Sequence, residues 1–373
     1  MEGIRAKDLT ASFIFVDFSK AFDTVHRGKM KEILAAYGIP QDMVNAIMVL
    51  YNDTQAMVRS PDGDTDLFDI LSGVLQGDTL APLLFIICLD YVLRTSIDLM
   101  PINGFTLEPE RSKRYQAKRI TDADYADDLA LISDTVEQAE ALLHSLEAAA
   151  NGIGLQINAD KTKIMNFNIQ GNFSTLEGHQ LKVVKDFVYL GSHISTTEKD
   201  ITVRIGKAWT ALSKLNTIWK SNLPDNIKRN FFQAIVTSVL LYGSNTWTLT
   251  KKLETKLDGT YTRMLRAVLN TSWKSHPTKT YLLGNLSPLS QTIKKRRTRF
   301  AGHSWRNKTE LISDVILWNP RHGQSRVGRP HRTYIDQLCD DAECDPEHLP
   351  NLIANREEWR KRVVNIRANR SPR

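Results

Sequence analysis

Three acidic residues stand where an acid is costly. Asp17 ends the apolar run Ser12–Val16, which reads as a buried strand. Asp127 and Asp128 lie in the turn of a second apolar stretch, Asp122–Ser133, whose pattern is a hairpin. A carboxylate among buried strands needs compensation. Hard divalent cations supply it, because Mg²⁺ prefers carboxylate and water oxygens. Two such ions, roughly 3.5–4 Å apart, are the usual device for in-line attack on phosphorus. Asp also favours hairpin turns for its local hydrogen bonds, so a plain turn role competes for Asp127-Asp128 taken alone.

The elements that would hold these acids follow from periodicity. Apolar residues return at helical spacing from Ser19 to Tyr37, and Gly38 and Pro40 close that helix. Asp42 caps the next helix. Pro61, Asp62 and Gly63 mark a turn between extended pieces. Gly73 and Gly77 bracket a loop leading into a helix from Thr79 to Ser96. Val136–Ala150 is an amphipathic helix, and Lys163–Phe167, Leu181–Val183 and Phe187–Ile194 read as strands. Beyond Glu198 long helical patterns take over: Val203–Trp219, Asn226–Tyr242 and Lys252–Leu269.

The order of the short motifs sharpens the picture. Phe15-Val16-Asp17-Phe18-Ser19-Lys20-Ala21-Phe22-Asp23, then Gly73-Val74-Leu75-Gln76-Gly77-Asp78 running to Phe85, then Tyr125-Ala126-Asp127-Asp128, then Gly154-Leu155-Gln156-Ile157-Asn158 with Lys161-Thr162, then Tyr189-Leu190-Gly191 stand in sequence. From about Ser12 to Ile194 the chain resembles the reverse transcriptases of non-LTR (LINE-type) retrotransposons. The resemblance implies an α+β right-hand polymerase palm, an antiparallel sheet backed by helices, over residues 1–197. A helical thumb or connector over 198–290 and a basic, mostly helical segment over 291–373 would follow.

The same resemblance implies roles. Asp17, Asp127 and Asp128 would ligate two Mg²⁺ ions, with Mn²⁺ as a substitute, and the main chain at Phe18 would help hold the triphosphate-bound ion. Phe22 would be the aromatic gate that leaves no room for a 2′-hydroxyl, the one handle separating ribo- from deoxynucleotides. Gln76 and Gly77 would lie beside the incoming base, Lys161 would donate a proton to departing pyrophosphate, and Tyr189, Leu190 and Gly191 would grip the primer backbone. The implied partners are an RNA template, a DNA primer and deoxynucleoside triphosphates. Leu75 stands where many relatives have Arg, and Thr79 where they have Pro. The fingers region and endonuclease of such enzymes do not fit before Asp17, so the expected product is a truncated element.

Charge is uneven. Residues 291–373 hold 18 Lys and Arg against 10 Asp and Glu, whereas the preceding 290 hold 31 against 32. Lys294, Lys295, Arg296, Arg297 and Arg299 form a cluster suited to nucleic acid and to nuclear import. Gly302-His303 and Gly323–Pro330, with Arg326 and Arg329, resemble a C-terminal segment of some LINE-type reading frames, and phosphate contact is their expected role. Arg204, Lys207, Lys214 and Lys220 would add phosphate affinity in the helical region, where Trp209 and Trp219 read as core. Cys88, Cys339 and Cys344 are too few for a disulfide framework and fit a reducing, intracellular compartment. Cys339, Cys344 and His348 lack a fourth ligand for zinc. Leu80–Leu93, broken by Pro82 and Asp90, is too short for a bilayer, so no membrane role is expected. Two rival functions stay open: a catalytically silent, transposon-derived nucleic-acid-binding protein, and a protein–protein module that kept the fold for stability alone.

Overall fold

Every residue of Ala11–Val16 (β1) is buried, and a strand hidden on both faces needs neighbours along both edges to satisfy its backbone. The computed structural model describes residues 1–308, 311–320, 323–324 and 332–366 and sets β1 at the centre of a five-stranded sheet. The other strands are Asp122–Tyr125 (β2), Asp128–Ser133 (β3), Lys163–Phe167 (β4) and Lys182–Val183 (β5). Their order is β5-β4-β1-β3-β2. β1 runs antiparallel to β3 and β4, β2 runs antiparallel to β3, and only the β4–β5 pair is parallel.

Side chains alternate across this sheet. Ile14 and Val16 enter a core with residues of the helices Arg27–Ala36 (α1), Ala81–Thr95 (α2) and Val136–Asn151 (α3). On the opposite face Phe13 meets Phe167 edge-on at 5.6 Å, and Phe15 stacks on Phe187 at 4.6 Å. This is the α+β palm that the motif order implied: an antiparallel-rich sheet backed by helices.

The described residues of 7–187 and 320–324 form one compact unit, and those of 1–6, 188–319 and 325–373 form another. The second unit is helical, built around Thr197–Lys214 (α4), Lys251–Val268 (α5), Leu289–Arg306 (α6) and Tyr334–Ala342 (α7). Trp219, Phe232, Trp247 and Tyr261 share one of its cores, and Ala301, Leu338 and Trp359 share another. Trp219 is 2 % exposed, so its indole serves packing. Helix α6 begins at Leu289 and runs through the sequence-based boundary at 291. Gly302 has a packing reason: a Cβ there would meet the Trp359 indole nitrogen at 2.1 Å. That nitrogen donates to the Thr298 carbonyl at 3.0 Å. Residues 325–331, with Arg326 and Arg329, lie outside the described residues. No described helix is long and apolar enough to cross a membrane.

Several sequence-based elements divide: Phe187–Ile194 is two short strands about a turn, and Asn226–Tyr242 is interrupted by a π-helical stretch at Phe232–Thr237. The Ser19–Tyr37 periodicity does not make one helix: Ala21–Thr24 is a single turn, and α1 starts afresh at Arg27, capped by the His26 imidazole. Between them Val25 is extended, because its carbonyl accepts from Gly73 N and His26 N donates to the Ile153 carbonyl, each at 2.8 Å. Residues Phe105–Glu108 and Lys118–Ile120, not read as strands from sequence, form an antiparallel hairpin with an irregularity at Thr106–Glu108.

Gly73 lies where this joint is tightest. Its φ is +80°, and an added Cβ would stand 2.6 Å from the Asp23 backbone. Gly73→Ala is therefore expected to destabilise the fold by about 2 kcal/mol, read as a lower urea midpoint. Ala at Gly206, where nothing lies within 4 Å, is expected to leave the midpoint unchanged or raise it.

Candidate active site

The pairing register brings the acids together. Val16 faces Leu129 across the β1–β3 ladder, so Asp17, one residue on, and Asp128, one residue back, meet at the same end of the sheet. Tyr125 faces Asp128, leaving Ala126 and Asp127 as the hairpin turn. Ala126 takes φ +56°, uncommon for a residue with a side chain. Asp127 and Asp128 are exposed at the turn, not buried among the strands; partial desolvation first, then the charges of Asp127 and Asp17, raise the Asp128 carboxyl above the usual range. The Asp17 Oδ2 atom is buried and accepts no hydrogen bond, and the Lys161 ammonium stands 3.4 Å from it. A buried carboxylate oxygen that makes an ion pair but no hydrogen bond, beside two further acids, suits hard cations of the magnesium class. Among the described residues no three such side chains draw close enough to enclose an ion.

Main-chain bonds interlock the loops around these acids. Asn158 N donates to the Asp17 carbonyl at 2.7 Å and Ser19 N to the Gln156 carbonyl at 2.8 Å, with Phe18 bridged to Ile157. Asp17 N donates to the buried Thr162 hydroxyl at 3.2 Å. The segment carrying Lys161 is thus stitched to the segment carrying Asp17. On the other side Val74 N donates to the Phe22 carbonyl at 2.7 Å. Gln76 Nε2 donates to Asp23 Oδ1 at 3.0 Å, which leaves the exposed Gln76 side chain aimed by Asp23. Gly77 takes φ +97°.

Phe18 turns its ring into the core at 6 % exposure, so only its main chain is available to a ligand. The Phe22 ring is half-buried and stacks on Phe85 of α2 at 4.5 Å and 18°. Phe85 and Asp23 stood in the quoted motifs without a role, and Arg27 was not singled out from sequence. Arg27 ties the surrounding loops: its guanidinium donates to the carbonyls of Gly73, Tyr51 and Ile70 at 3.0, 2.7 and 2.8 Å and to Thr54 Oγ1 at 2.9 Å. Burial lowers its pKa. The spacing of Arg27 from the first motif gave no signal, because its acceptors come from distant loops.

Tyr189, Leu190 and Gly191 lie in the helical unit, on a hairpin that pairs Val188 with His193 and Tyr189 with Ser192. Leu190 and Gly191 both take positive φ, +47° and +75°, the signature of a tight two-residue hairpin turn. The Tyr242 hydroxyl donates to the Leu190 carbonyl at 3.0 Å, and Arg204 donates to the Gly191 carbonyl. Arg204 also lies over the Tyr242 ring at 4.2 Å. Asp200 braces the far strand, accepting from His193 N at 3.0 Å and from the Trp247 indole at 2.8 Å. Arg204, expected to meet phosphate, is 5 % exposed and is spent on this hairpin.

The basic cluster also needs correction. Arg297 is 1 % exposed and donates to Asp341 at 2.9 and 2.5 Å, to Gln337 and to the Trp247 carbonyl. It holds the unit together and cannot meet nucleic acid. Lys294 lies 3.8 Å from the same Asp341 with its side chain 12 % exposed. Arg296 donates to the Leu241 carbonyl at 3.0 Å and is half-buried, as is Lys295, while Arg299 is exposed. Helical wrapping turns a run of like charges toward different surroundings, which composition does not reveal. Cys339 is buried in the same region, its thiol pushed up to about 12 by burial, and the His348 side chain is 74 % exposed.

Comparison with known proteins gives a family. Residues 2–194 match the family model described as reverse transcriptase (RNA-dependent DNA polymerase). A transposon-derived protein of Caenorhabditis elegans is 26% identical over 66% of this chain and 96% of its own length. The Pol polyprotein of the type-2 retrotransposable element R2DM of Drosophila melanogaster is 30% identical over 39% of this chain and 13% of its own. That of the type-1 element R2 of Popillia japonica is 29% identical over 52% and 32%. The chain thus spans nearly all of the nematode protein but a third or less of the two polyproteins. Apo telomerase from Candida tropicalis superposes with a TM-score of 0.38 at 11% identity, over 85% of this chain and 54% of that one.

Asp128 is raised first by desolvation and then by its acidic neighbours, so removing its charge relieves both. The native state then keeps the Asp128 proton to higher pH than the unfolded chain does, so stability falls as pH rises from the unfolded carboxylate range through the raised value. Asp128→Asn is expected to raise the Tm of metal-free protein at neutral pH. Millimolar Mg²⁺ is expected to raise the wild-type Tm more than that of the variant. Differential scanning fluorimetry with and without EDTA measures both.

Proposed function

The chain belongs to the reverse transcriptase family, on its non-LTR retrotransposon branch, and from that premise we propose that it joins deoxynucleotides to a primer 3′-OH on an RNA template by two-metal phosphoryl transfer. One observation carries the reading: Asp17 and Asp127-Asp128, distant in sequence, share one end of the sheet, with a buried Asp17 oxygen that accepts no hydrogen bond. Asp17, Asp127 and Asp128 would hold the ions. Two divalent cations, when bound, lower the pKa of the attacking hydroxyl and neutralise the leaving pyrophosphate.

The chain's own groups do the rest. The Phe22 ring, backed by Phe85, excludes a 2′-hydroxyl by bulk. Gln76, aimed by Asp23, and Gly77 border the base. Lys161, 3.4 Å from Asp17, gives a proton to departing pyrophosphate. The Tyr189–Gly191 turn, fixed by Arg204 and Tyr242, holds primer backbone. Action in the nucleus belongs to the same proposal and rests on family context; the Lys294–Arg299 run supports it less than its charge suggests, because Arg297 is buried. A catalytically silent nucleic-acid-binding protein is the second reading. What favours it is the open arrangement of the acids among the described residues.

Primer extension on poly(rA)/oligo(dT) with Mg²⁺ or Mn²⁺ separates the two. The polymerase reading expects extension by the wild type and a loss of about 10³-fold on Asp127→Ala/Asp128→Ala. Phe22→Ala is expected to cut the preference for deoxy- over ribonucleotides by roughly tenfold or more. Hybrid binding without extension by folded wild-type protein would favour the silent reading.

A further inference from the structure

The palm unit is acidic, and its densest run of positive charge lies in one hairpin. Residues 7–187 carry 16 Lys and Arg against 26 Asp and Glu. The hairpin spanning 105–120 holds five of those cations, Arg111, Lys113, Arg114, Lys118 and Arg119, and only two of the acids, Glu108 and Glu110. A polyanion approaching this unit is repelled over most of its surface.

The hairpin is built to present that charge. Its root is fixed: Phe105, Leu107 and Ile120 are buried, and Asp134 accepts from Thr106 N at 3.0 Å and from its hydroxyl at 2.6 Å. Ile132 N donates to the Thr121 carbonyl at 2.7 Å, joining the root to the strand that begins at Asp128. The tip is a tight turn in which Tyr115 N donates to the Ser112 carbonyl at 2.8 Å, leaving Lys113 and Arg114 at the apex. Both are exposed, and neither pairs with an acid among the described residues, whereas Arg111 lies 3.7 Å from Glu108. Tyr115 beside them is 70% exposed, a large ring without a core to serve.

A cavity of about 930 Å³ opens against this hairpin, at the upper end of the size of small-ligand sites. One part of its lining is apolar, from Pro101, Ile102 and Pro109; another is cationic, from Lys113, Lys118 and Arg119, with Glu110 at the edge. Cations for phosphate, apolar surface for bases and an exposed aromatic ring are the chemistry of single-strand binding.

We propose that the Phe105–Ile120 hairpin and the cavity beside it bind single-stranded RNA, as a template-side arm of the palm unit. The choice of RNA rests on the polymerase reading; the preference for a single strand rests on the lining. The arm leads through Thr121 directly into Asp122–Tyr125, whose far end is the Asp127-Asp128 turn. Asp122–Tyr125 alone rises roughly 10 Å, and the 113–114 apex lies farther along the chain, so a strand held by the arm belongs to the approach to the reacting position.

The test is fluorescence anisotropy of labelled U15 RNA with the full chain, without metal or nucleotide. The comparison is wild type against Lys113→Glu/Arg114→Glu and, separately, Tyr115→Ala. Lys113→Gln/Arg114→Gln and a thermal melt guard against misfolding, and these sites are exposed turn positions. The expected result is at least a tenfold weaker Kd for the charge reversal. The slope of log K against log salt should also be shallower by about 1.4 for the Gln pair, the value for two single-strand phosphates. Tyr115→Ala should weaken binding with the slope unchanged. Unchanged affinity and slope would overturn the proposal. So would equal losses on dT15 or on an RNA–DNA hybrid, which would show an indifferent phosphate patch. Binding is read apart from extension, so a chain that extends no primer yet shows these losses sinks the polymerase reading and leaves the arm standing.

Discussion

Like-charge repulsion at the end of a buried strand is the constraint around which this unit is organised. Asp17 follows six consecutive buried residues, and the register of β1 on β3 sets it beside Asp128 on the neighbouring hairpin. Such a cluster is unfavourable by itself. It persists because each acid is carried by an element whose position other contacts determine: β1 by two antiparallel partners, the Ala126-Asp127 turn by the ladder behind it. The stability that the fold gives up there is what a divalent cation would restore.

The same logic explains why so many main-chain groups meet nearby. Segments 17–26, 72–76 and 153–162 are not helices or strands for most of their length, so their amides need partners from one another. Asp17, Ser19, Phe22, Val25 and His26 each contribute a main-chain group to a bond with a distant loop. Arg27 adds four acceptors from three further places. Side chains that would meet a nucleotide are therefore set by backbone bonds and by stacking, as Phe22 is by Phe85, a preorganised arrangement of the kind that catalysis by positioning requires.

Much of this was legible in the sequence, for identifiable reasons. β1, the hairpin around Asp127-Asp128 and the helix Val136–Asn151 follow from local periodicity, and their residues report on their own burial. Asp17, Asp127 and Asp128 stood out because acids are conspicuous beside apolar runs. The break at Val25-His26 was hidden because it is imposed by Gly73 and Ile153, far along the chain. Arg204 and Arg297 were read as surface cations because charge alone does not reveal a buried carboxylate or carbonyl elsewhere, and Asp200, Asp341 and Gly191 supply them here. The Phe105–Ile120 hairpin was missed because its strands are short: Phe105 and Leu107 alternate over only four residues, and Lys118–Ile120 carries a single apolar residue.

The most direct measurement is affinity cleavage with Fe²⁺ in place of Mg²⁺. Ascorbate and peroxide generate hydroxyl radicals at the bound ion, which cut the main chain within reach of it. Cuts at 17–18 and at 127–128 in the same molecules, suppressed by excess Mg²⁺ and abolished by Asp17→Asn, are the expected result. A chain left intact there, or cut elsewhere and indifferent to Asp17→Asn, would contradict a cation site built from these carboxylates.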